Sequence, residues 1–112
     1  MKRAYICSPL SGDIEGNIKK AIAYAKFVYD RCEMIPIVPH LKALVFDDTE
    51  PKQRELGISM SLDELMTTSD IWIFGDDWTS GMEEEIKTAD GFSKDRHPVT
   101  DEQCEAILRI YG

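Results

Sequence analysis

Short apolar runs separated by longer amphipathic stretches predict that strands and helices alternate along this chain. Runs that are too short for a helix and rich in β-branched or aromatic residues are typical of strands buried on both faces of a sheet. Such runs occupy residues 5–7, 34–39 and 71–74, and residues 97–99 form a weaker final one. We therefore expect about four strands.

The stretches between these strands carry apolar residues at the three- and four-residue steps of an amphipathic helix. Residues 14–32 predict a long helix, and residues 81–89 predict a shorter one. Residues 51–68 show a similar stripe, but Gly57 interrupts it and favours two short helices. Residues 40–50 are expected to be mostly loop.

Polar residues mark where two of the helices begin. Thr79 or Ser80 can cap the helix after the third strand. Thr100 and Gln103 have the spacing of a capping box, which predicts a C-terminal helix starting there.

Alternating strands and helices of these lengths predict a parallel α/β sheet with right-handed crossovers. Pro36 and Pro39 remove backbone donors from the second strand and so place it at an edge of the sheet. A doubly wound sheet of strand order 2-1-3-4 has its second strand at an edge. The sequence therefore predicts a single domain over residues 1–112, a small three-layer α/β fold with that order.

Composition narrows the possible partners. The 112 residues are 43% apolar and 30% charged, as in soluble globular domains. The net charge of -8 disfavours binding to nucleic acid or to an anionic membrane, so a small molecule or a protein fits better. The first residues contain no apolar run long enough for a signal peptide or membrane helix, so we expect a cytoplasmic protein.

The cysteines and the paired acidic residues do not indicate a metal site or a disulfide framework. Cys7, Cys32 and Cys104 are odd in number, widely spaced and without a CxxC pair, which favours three free thiols. Aspartate pairs occur at residues 47–48 and 76–77, but the first strand ends without the acidic residues of a magnesium-dependent receiver domain. We therefore expect no metal.

Two loops, residues 8–13 after the first strand and residues 76–81 after the third, are expected to share one cleft. Ligands of open α/β sheets bind beyond the carboxyl ends of the strands, where the strand order reverses, here between the first and third strands. Ser8, Ser11 and Gly12 offer hydroxyl and backbone N–H groups at a helix start, which suits an anion or sugar hydroxyls. An ordinary βα turn explains the same residues. The loop lacks GxGxxG and a P-loop lysine, which disfavours a dinucleotide or ATP.

Helix geometry separates three consecutive glutamates. At about 100° per residue, Glu83 and Glu84 turn toward solvent, whereas Glu85 lies about 60° from Met82, on the flank of the buried face. Only Glu85 can face the cleft, where a partly desolvated carboxylate can act as a nucleophile or general base. The alternative is an acidic first turn that only complements the helix dipole.

Histidines and tryptophans give weaker candidates. His40 follows the second strand and can reach a ligand, although a surface histidine is the more common case. His97 has no nearby partner in the sequence and receives no role. Trp78 lies in the second loop, so it is a better ligand candidate than Trp72, which lies in a strand.

Four segments, taken together and in this order, resemble the nucleoside 2-deoxyribosyltransferase-like superfamily. They are residues 5–13, 37–41, 69–75 and 81–86, and the resemblance extends over about residues 3–90. It is strongest with a branch of small domains, many from bacteria and phages. The resemblance implies a flavodoxin-like or Rossmann-like fold. It also implies a glutamate nucleophile that attacks the sugar C1′ of a nucleoside or its monophosphate without a metal or organic cofactor.

The same resemblance assigns roles to individual residues. The catalytic glutamate falls on Glu85, and a first-strand tyrosine falls on Tyr5. The loop that contacts sugar and phosphate has a serine here where the N-glycosidase relatives carry a phosphate-binding arginine. The aspartate that assists protonation of the base aligns with Leu62, so the neighbouring Asp63 is the candidate acid.

Three functions stay open at this point. The first is cleavage of an N-glycosidic bond or deoxyribosyl transfer through Glu85, the second is non-catalytic binding of a nucleotide-like or ribosyl ligand, and the third is a purely oligomeric interaction module. The first two use a small-molecule nucleoside or nucleotide, and the resemblance implies a homo-oligomer. The substrate-binding candidates come from the strand ends and the two loops: Tyr5, Ser8, Pro9, Ser11, Gly12, His40, Asp76, Trp78, Gly81 and Met82.

Overall fold

The computed structural model describes all 112 residues, Met1–Gly112, as one sheet covered by helices on both faces. The strands are β1 (Arg3–Cys7), β2 (Ile35–Ile37), β3 (Asp70–Phe74) and β4 (Asp95–Val99). The helices are α1 (Ile14–Cys32), α2 (Pro51–Met66), α3 (Ser80–Gly91) and α4 (Asp101–Tyr111), with a 3-10 helix at Pro39–Leu44. None of these helices combines the length and the apolar composition that crossing a membrane requires.

All strands are parallel, and their order is β2-β1-β3-β4. The predicted α/β fold and strand order are therefore confirmed. The order reverses between β1 and β3, where Tyr5 is paired with Ile71 and Cys7 with Ile73. A ligand site is expected beyond the carboxyl ends of these two strands.

The two faces of the sheet carry separate hydrophobic cores. Successive residues of a strand point to opposite faces, so β1 divides its side chains between the cores. Ala4 and Ile6 lie in the core covered by α1 and α4. Tyr5 and Cys7 lie in the core covered by α2 and α3. This alternation brings a phenol and a thiol next to α3.

Both edge strands carry a proline on their outer side. Ile35 N donates to Lys2 O at 2.8 Å, so the backbone N–H groups of Ile35 and Ile37 point toward β1. The backbone nitrogen of Pro36 therefore points away from the sheet. On β4, Asp95 N donates to Ser69 O at 3.1 Å and Val99 O accepts from Gly75 N at 2.9 Å, so Pro98 also faces outward. Proline offers no N–H to a neighbouring chain. The edge position predicted for the second strand is confirmed.

Two predictions about the segment after β2 need correction. Residues 51–66 form one helix rather than two, because Gly57 reduces helix propensity by only about 1 kcal/mol and Leu65 anchors the helix in the core. Residues 45–50 are loop, as predicted, but residues 40–44 belong to the 3-10 helix, which begins at Pro39.

His97, which received no role from the sequence, has a structural partner. Its Nε2 lies 2.7 Å from Oδ2 of Asp70, which is only 1% exposed, and its ring stacks on Trp72 with the ring centroids 4.3 Å apart. Burial alone raises the pKa of Asp70, but hydrogen bonds from Ser69 and His97 outweigh this and lower it. These contacts tie the start of β3 to β4.

Candidate functional site

A cleft opens beside the carboxyl end of β1, on the sheet face covered by α2 and α3. The β1–α1 loop contributes Ser8, Leu10 and Ser11; the 3-10 helix contributes His40 and Lys42; α2 contributes Arg54, Gly57, Ser61 and Leu62; and α3 contributes Gly81, Met82, Glu84 and Glu85. The predicted meeting of two loops is therefore only part of this site, because α2 and the 3-10 helix form the opposite wall.

Glu85 reaches the cleft because of where α3 begins. Thr79 caps the helix by accepting from Met82 N at 3.2 Å, and Met82 and Ile86 pack in the core. Glu85, on the flank of that apolar face, is half-buried. It points toward β1, where the Tyr5 hydroxyl donates to its Oε2 and the Cys7 sulfur lies 3.9 Å from its Oε1. Glu83 and Glu84 are exposed as predicted, but Glu84 also lines the cleft, so the expectation that only Glu85 faces it was wrong.

Burial controls the ionisation of this carboxyl. Desolvation raises the pKa of Glu85 to about 7, although the hydrogen bond from Tyr5, the positive charge of Lys42 and the hydrogen bond from Cys7 each favour the carboxylate. Near neutral pH the side chain therefore exists in both forms. A carboxylate that titrates near the working pH suits nucleophilic or general-base chemistry.

The two neighbours of Glu85 on β1, Tyr5 and Cys7, act as hydrogen-bond donors. Burial, and then the charge of Glu85, raise the pKa of the Tyr5 phenol and of the Cys7 thiol well above their ordinary values. Both groups keep their protons at neutral pH. They stabilise the Glu85 carboxylate rather than compete with it as nucleophiles.

His40 is 3% exposed, so its interpretation as a surface histidine was wrong. The 3-10 helix that starts at Pro39 turns the ring inward, toward the end of β1. Its Nε2 lies 2.9 Å from Ser8 O and 3.0 Å from Ser8 Oγ. A backbone carbonyl can only accept, so Nε2 carries the ring proton in this assignment.

This tautomer has consequences for both partners. Burial lowers the pKa of His40, which favours the neutral ring. Its Nδ1 is then a buried acceptor without a hydrogen-bond partner. The hydroxyl of Ser8 accepts from Nε2 and keeps its own proton for another acceptor in the cleft. The Ser8 hydroxyl can therefore donate to a polar group in the cleft, and Ser8 and His40 do not have the arrangement of a serine nucleophile and its base.

Charged side chains at the mouth of the cleft were not anticipated from the sequence. Arg54 Nη1 donates to Ser11 Oγ at 3.2 Å and to Asp48 Oδ2 at 2.9 Å. Lys42 pairs with Glu64. The available signal was the spacing of Arg54, Gly57 and Ser61, which places small and polar residues on one face of α2.

The structure brings together most, but not all, of the residues that the sequence singled out. Ser8, Ser11, His40, Gly81, Met82 and Glu85 line the cleft, and Tyr5 contacts Glu85. The other candidates lie outside the cleft: Pro9, Gly12, Asp63, Asp76 and Trp78.

Most of those outlying residues have other surroundings. Asp76 and Asp101 form two hydrogen bonds with each other. Asp76 N donates to Asp101 Oδ1 at 2.9 Å, and Asp101 N donates to Asp76 Oδ2 at 3.2 Å. Trp78 is 40% exposed, and the guanidinium of Arg96 lies 5.7 Å from its ring centroid. Asp63 is exposed, whereas its neighbour Leu62 lines the cleft. No group of three or more His, Cys, Asp or Glu side chains is placed to hold a metal ion.

Comparison with known proteins gives a family but no activity. The chain has no significant match among curated proteins or among solved structures. The sequence model of a domain of unknown function, DUF7768, matches residues 2–98. That match includes all four strands except Val99 and every residue of the cleft wall. Because it covers most of the chain, this protein belongs to the DUF7768 family.

Proposed function

We propose that this protein cleaves the N-glycosidic bond of a 2′-deoxyribonucleoside or its monophosphate, or transfers the deoxyribosyl group to another base. The nucleophile is Glu85. One observation carries the proposal: a half-buried carboxyl at the edge of the cleft accepts a hydrogen bond from Tyr5 and has its pKa raised to about 7. The resemblance of the motifs to nucleoside 2-deoxyribosyltransferase-like proteins supports the same assignment.

The reaction has two steps. In the first, a carboxylate oxygen of Glu85 attacks C1′, and the C1′–N bond breaks with its electron pair leaving on the base, which takes up a proton. The product is a deoxyribosyl ester of Glu85. In the second, water or a nitrogen of another base attacks C1′ and gives up a proton to solvent, while the ester bond breaks and its electron pair returns to the Glu85 carboxylate. A nucleoside then gives free deoxyribose or a new nucleoside, and a monophosphate gives deoxyribose 5-phosphate or a new nucleotide.

The walls of the cleft offer groups for the sugar and for a phosphate. The Ser8 hydroxyl has a proton available for a ligand oxygen, as its contacts with His40 indicate. Arg54 brings a guanidinium to the β1–α1 loop from α2 and contacts Ser11. It supplies a cation near a loop that has no arginine of its own, which supports a monophosphate as well as a nucleoside substrate.

A second candidate function is non-catalytic binding of a nucleotide-like or ribosyl ligand. It is favoured by the position of Asp63, which is exposed and outside the cleft, while Leu62 takes the aligned place in the wall. A leaving base then lacks the aspartate that assists its protonation in the relatives. Under either function we propose that the chain assembles as a homo-oligomer, as the resemblance implies.

Product analysis distinguishes these functions. The protein is incubated with each deoxynucleoside or monophosphate, with and without a second free base, and released and exchanged bases are measured by chromatography. We expect base release or exchange, and we expect Glu85→Gln to reduce it by roughly 10³-fold or more because the nucleophile is lost.

The matched control is Glu83→Gln, which changes an exposed glutamate on the same helix that does not line the cleft and should keep most of the activity. Calorimetry with the same ligands completes the test. If the wild-type protein binds a nucleoside but never releases its base, the binding function replaces the catalytic one. If it binds none of the ligands, both candidate functions are wrong.

A further inference from the structure

Cys7 is a fully buried thiol that the proposed reaction does not use. It is the last residue of β1 and is 0% exposed, and its backbone is paired with Ile73 in the middle of the sheet. Its sulfur lies 3.9 Å from Oε1 of Glu85, within reach of an S–H···O contact. Because the strand is held by neighbours on both sides, the position of this sulfur is fixed by the fold.

The two oxygens of Glu85 have different partners. Oε2 accepts from the Tyr5 hydroxyl, which is a strong donor. Oε1 faces only the Cys7 thiol on this side, and a thiol is a weak donor. A strong hydrogen bond withdraws charge from the oxygen that accepts it, so Oε1 keeps more of the negative charge.

We propose that Cys7 is a positioning residue that orients the Glu85 carboxylate and leaves Oε1 as the reacting oxygen. The thiol excludes water from the inner side of the carboxylate and donates a hydrogen bond that is too weak to reduce its nucleophilicity. The catalytic part of this inference rests on the proposed function, whereas the contact between Cys7 and Glu85 does not.

Other groups also act on the same carboxyl. The charged and titratable side chains that influence Glu85 are Tyr5 and Cys7 from β1, Lys42 from the 3-10 helix and Glu64 from α2. Lys42 and Glu64 form an ion pair with each other, so their effects on Glu85 partly cancel. Replacing Cys7 leaves all the other groups in place and therefore isolates the contribution of the thiol.

Two substitutions change the strength of the hydrogen bond from residue 7 to Glu85 in opposite directions. Cys7→Ala removes it, and Cys7→Ser replaces it with a stronger donor of similar shape. The titration of Glu85 is followed by infrared difference spectroscopy, with Glu85→Gln identifying its carboxyl band. We expect the titration midpoint to rise by about half a pH unit in Cys7→Ala and to fall by a similar amount in Cys7→Ser, because a hydrogen bond to the carboxylate favours ionisation.

The catalytic consequence has its own signature. In Cys7→Ser the low-pH limb of the kcat/KM profile moves to lower pH, yet kcat falls, because the serine hydroxyl withdraws charge from Oε1. In Cys7→Ala the same limb moves to higher pH. A purely structural role of Cys7 predicts a loss of activity that follows the loss of stability, with an unmoved pH profile.

Cys104 provides the matched control because it is a second buried free cysteine, in the core on the opposite face of the sheet. Cys104→Ala and Cys104→Ser should alter stability but leave the Glu85 midpoint unchanged. Equal midpoints in the wild type and both Cys7 variants would overturn the inference. If the midpoints move as expected but no base is released by any variant, the contact stands and only the proposed function fails.

Discussion

The Glu85 carboxyl gives the folded protein a pH dependence that runs opposite to that of most surface acids. Its pKa is raised from 4.5 to about 7 by burial. Between these two values the folded chain binds more protons than the unfolded chain, so the free energy of unfolding falls as the pH rises. The ionised form, which the proposed reaction requires, is therefore the form that burial destabilises.

This sign leads to a stability prediction for Glu85→Gln. The substitution removes the ionisable group but keeps a side chain of the same shape. The free energy of unfolding of Glu85→Gln minus that of the wild type should therefore be larger at pH 8 than at pH 5, by up to about 3 kcal/mol. Urea denaturation at both pH values measures the difference. Glu84→Gln is the control, and an equal effect of Glu85→Gln at pH 5 and pH 8 would contradict the prediction.

At the scale of single residues, the sequence identified Glu85 because helix periodicity fixes which side chain lies on the flank of the apolar face. It identified Tyr5 only through the resemblance. The burial of His40 was missed because it depends on a 3-10 helix, which has no apolar periodicity of its own. Arg54 was missed because its contact with Ser11 joins residues that are 43 positions apart.

Local signals predicted the helices that begin with a clear cap. Thr100 Oγ1 accepts from Gln103 N at 3.2 Å, and Gln103 Oε1 accepts from Thr100 N at 2.9 Å, so the predicted capping box of α4 is confirmed. The bounds of α1 also agree with the prediction. α2 was divided in error, because tertiary packing outweighs the weak local preference of one glycine.

The capping box of α4 can be tested without touching the cleft. α4 packs on the other face of the sheet, through Cys104 and Ile107. Thr100→Ala should reduce the free energy of unfolding by about 1 kcal/mol, because Gln103 N loses its acceptor. Thr100→Ser, which keeps the hydroxyl, should lose little. Urea denaturation measures the stabilities. A change in ligand binding by Thr100→Ala would contradict the separation of α4 from the site.

At the scale of the whole molecule, the strand order followed from the sequence because prolines have a positional meaning in sheets. The carboxyl ends of β1 and β3 then located the site in general terms. The full shape of the cleft could not be predicted from the sequence. It depends on how α2 and the 3-10 helix pack beside the end of β1, and no local pattern encodes that packing.

The outward prolines make a prediction about self-association. Pro36→Val and Pro98→Val together restore a backbone N–H on each outer edge of the sheet, so the double variant should associate through its strands more than the wild type. Light scattering across a range of concentrations measures the association. Pro51→Ala is the control, because it removes a proline from the start of α2 and not from an edge. Equal scattering by the double variant and the control would contradict the prediction.

The prolines on the outer sides of β2 and β4 also restrict how copies of the chain can associate. They disfavour a continuous intermolecular sheet through either edge strand, so the homo-oligomer that we propose would form through helices and loops. On one face of the sheet those helices are α2 and α3, which also build the wall of the cleft. An assembly that uses this face would link quaternary structure to access to the cleft. If a ligand binds there as proposed, dilution to monomers would change its affinity even though no residue of the cleft had been altered.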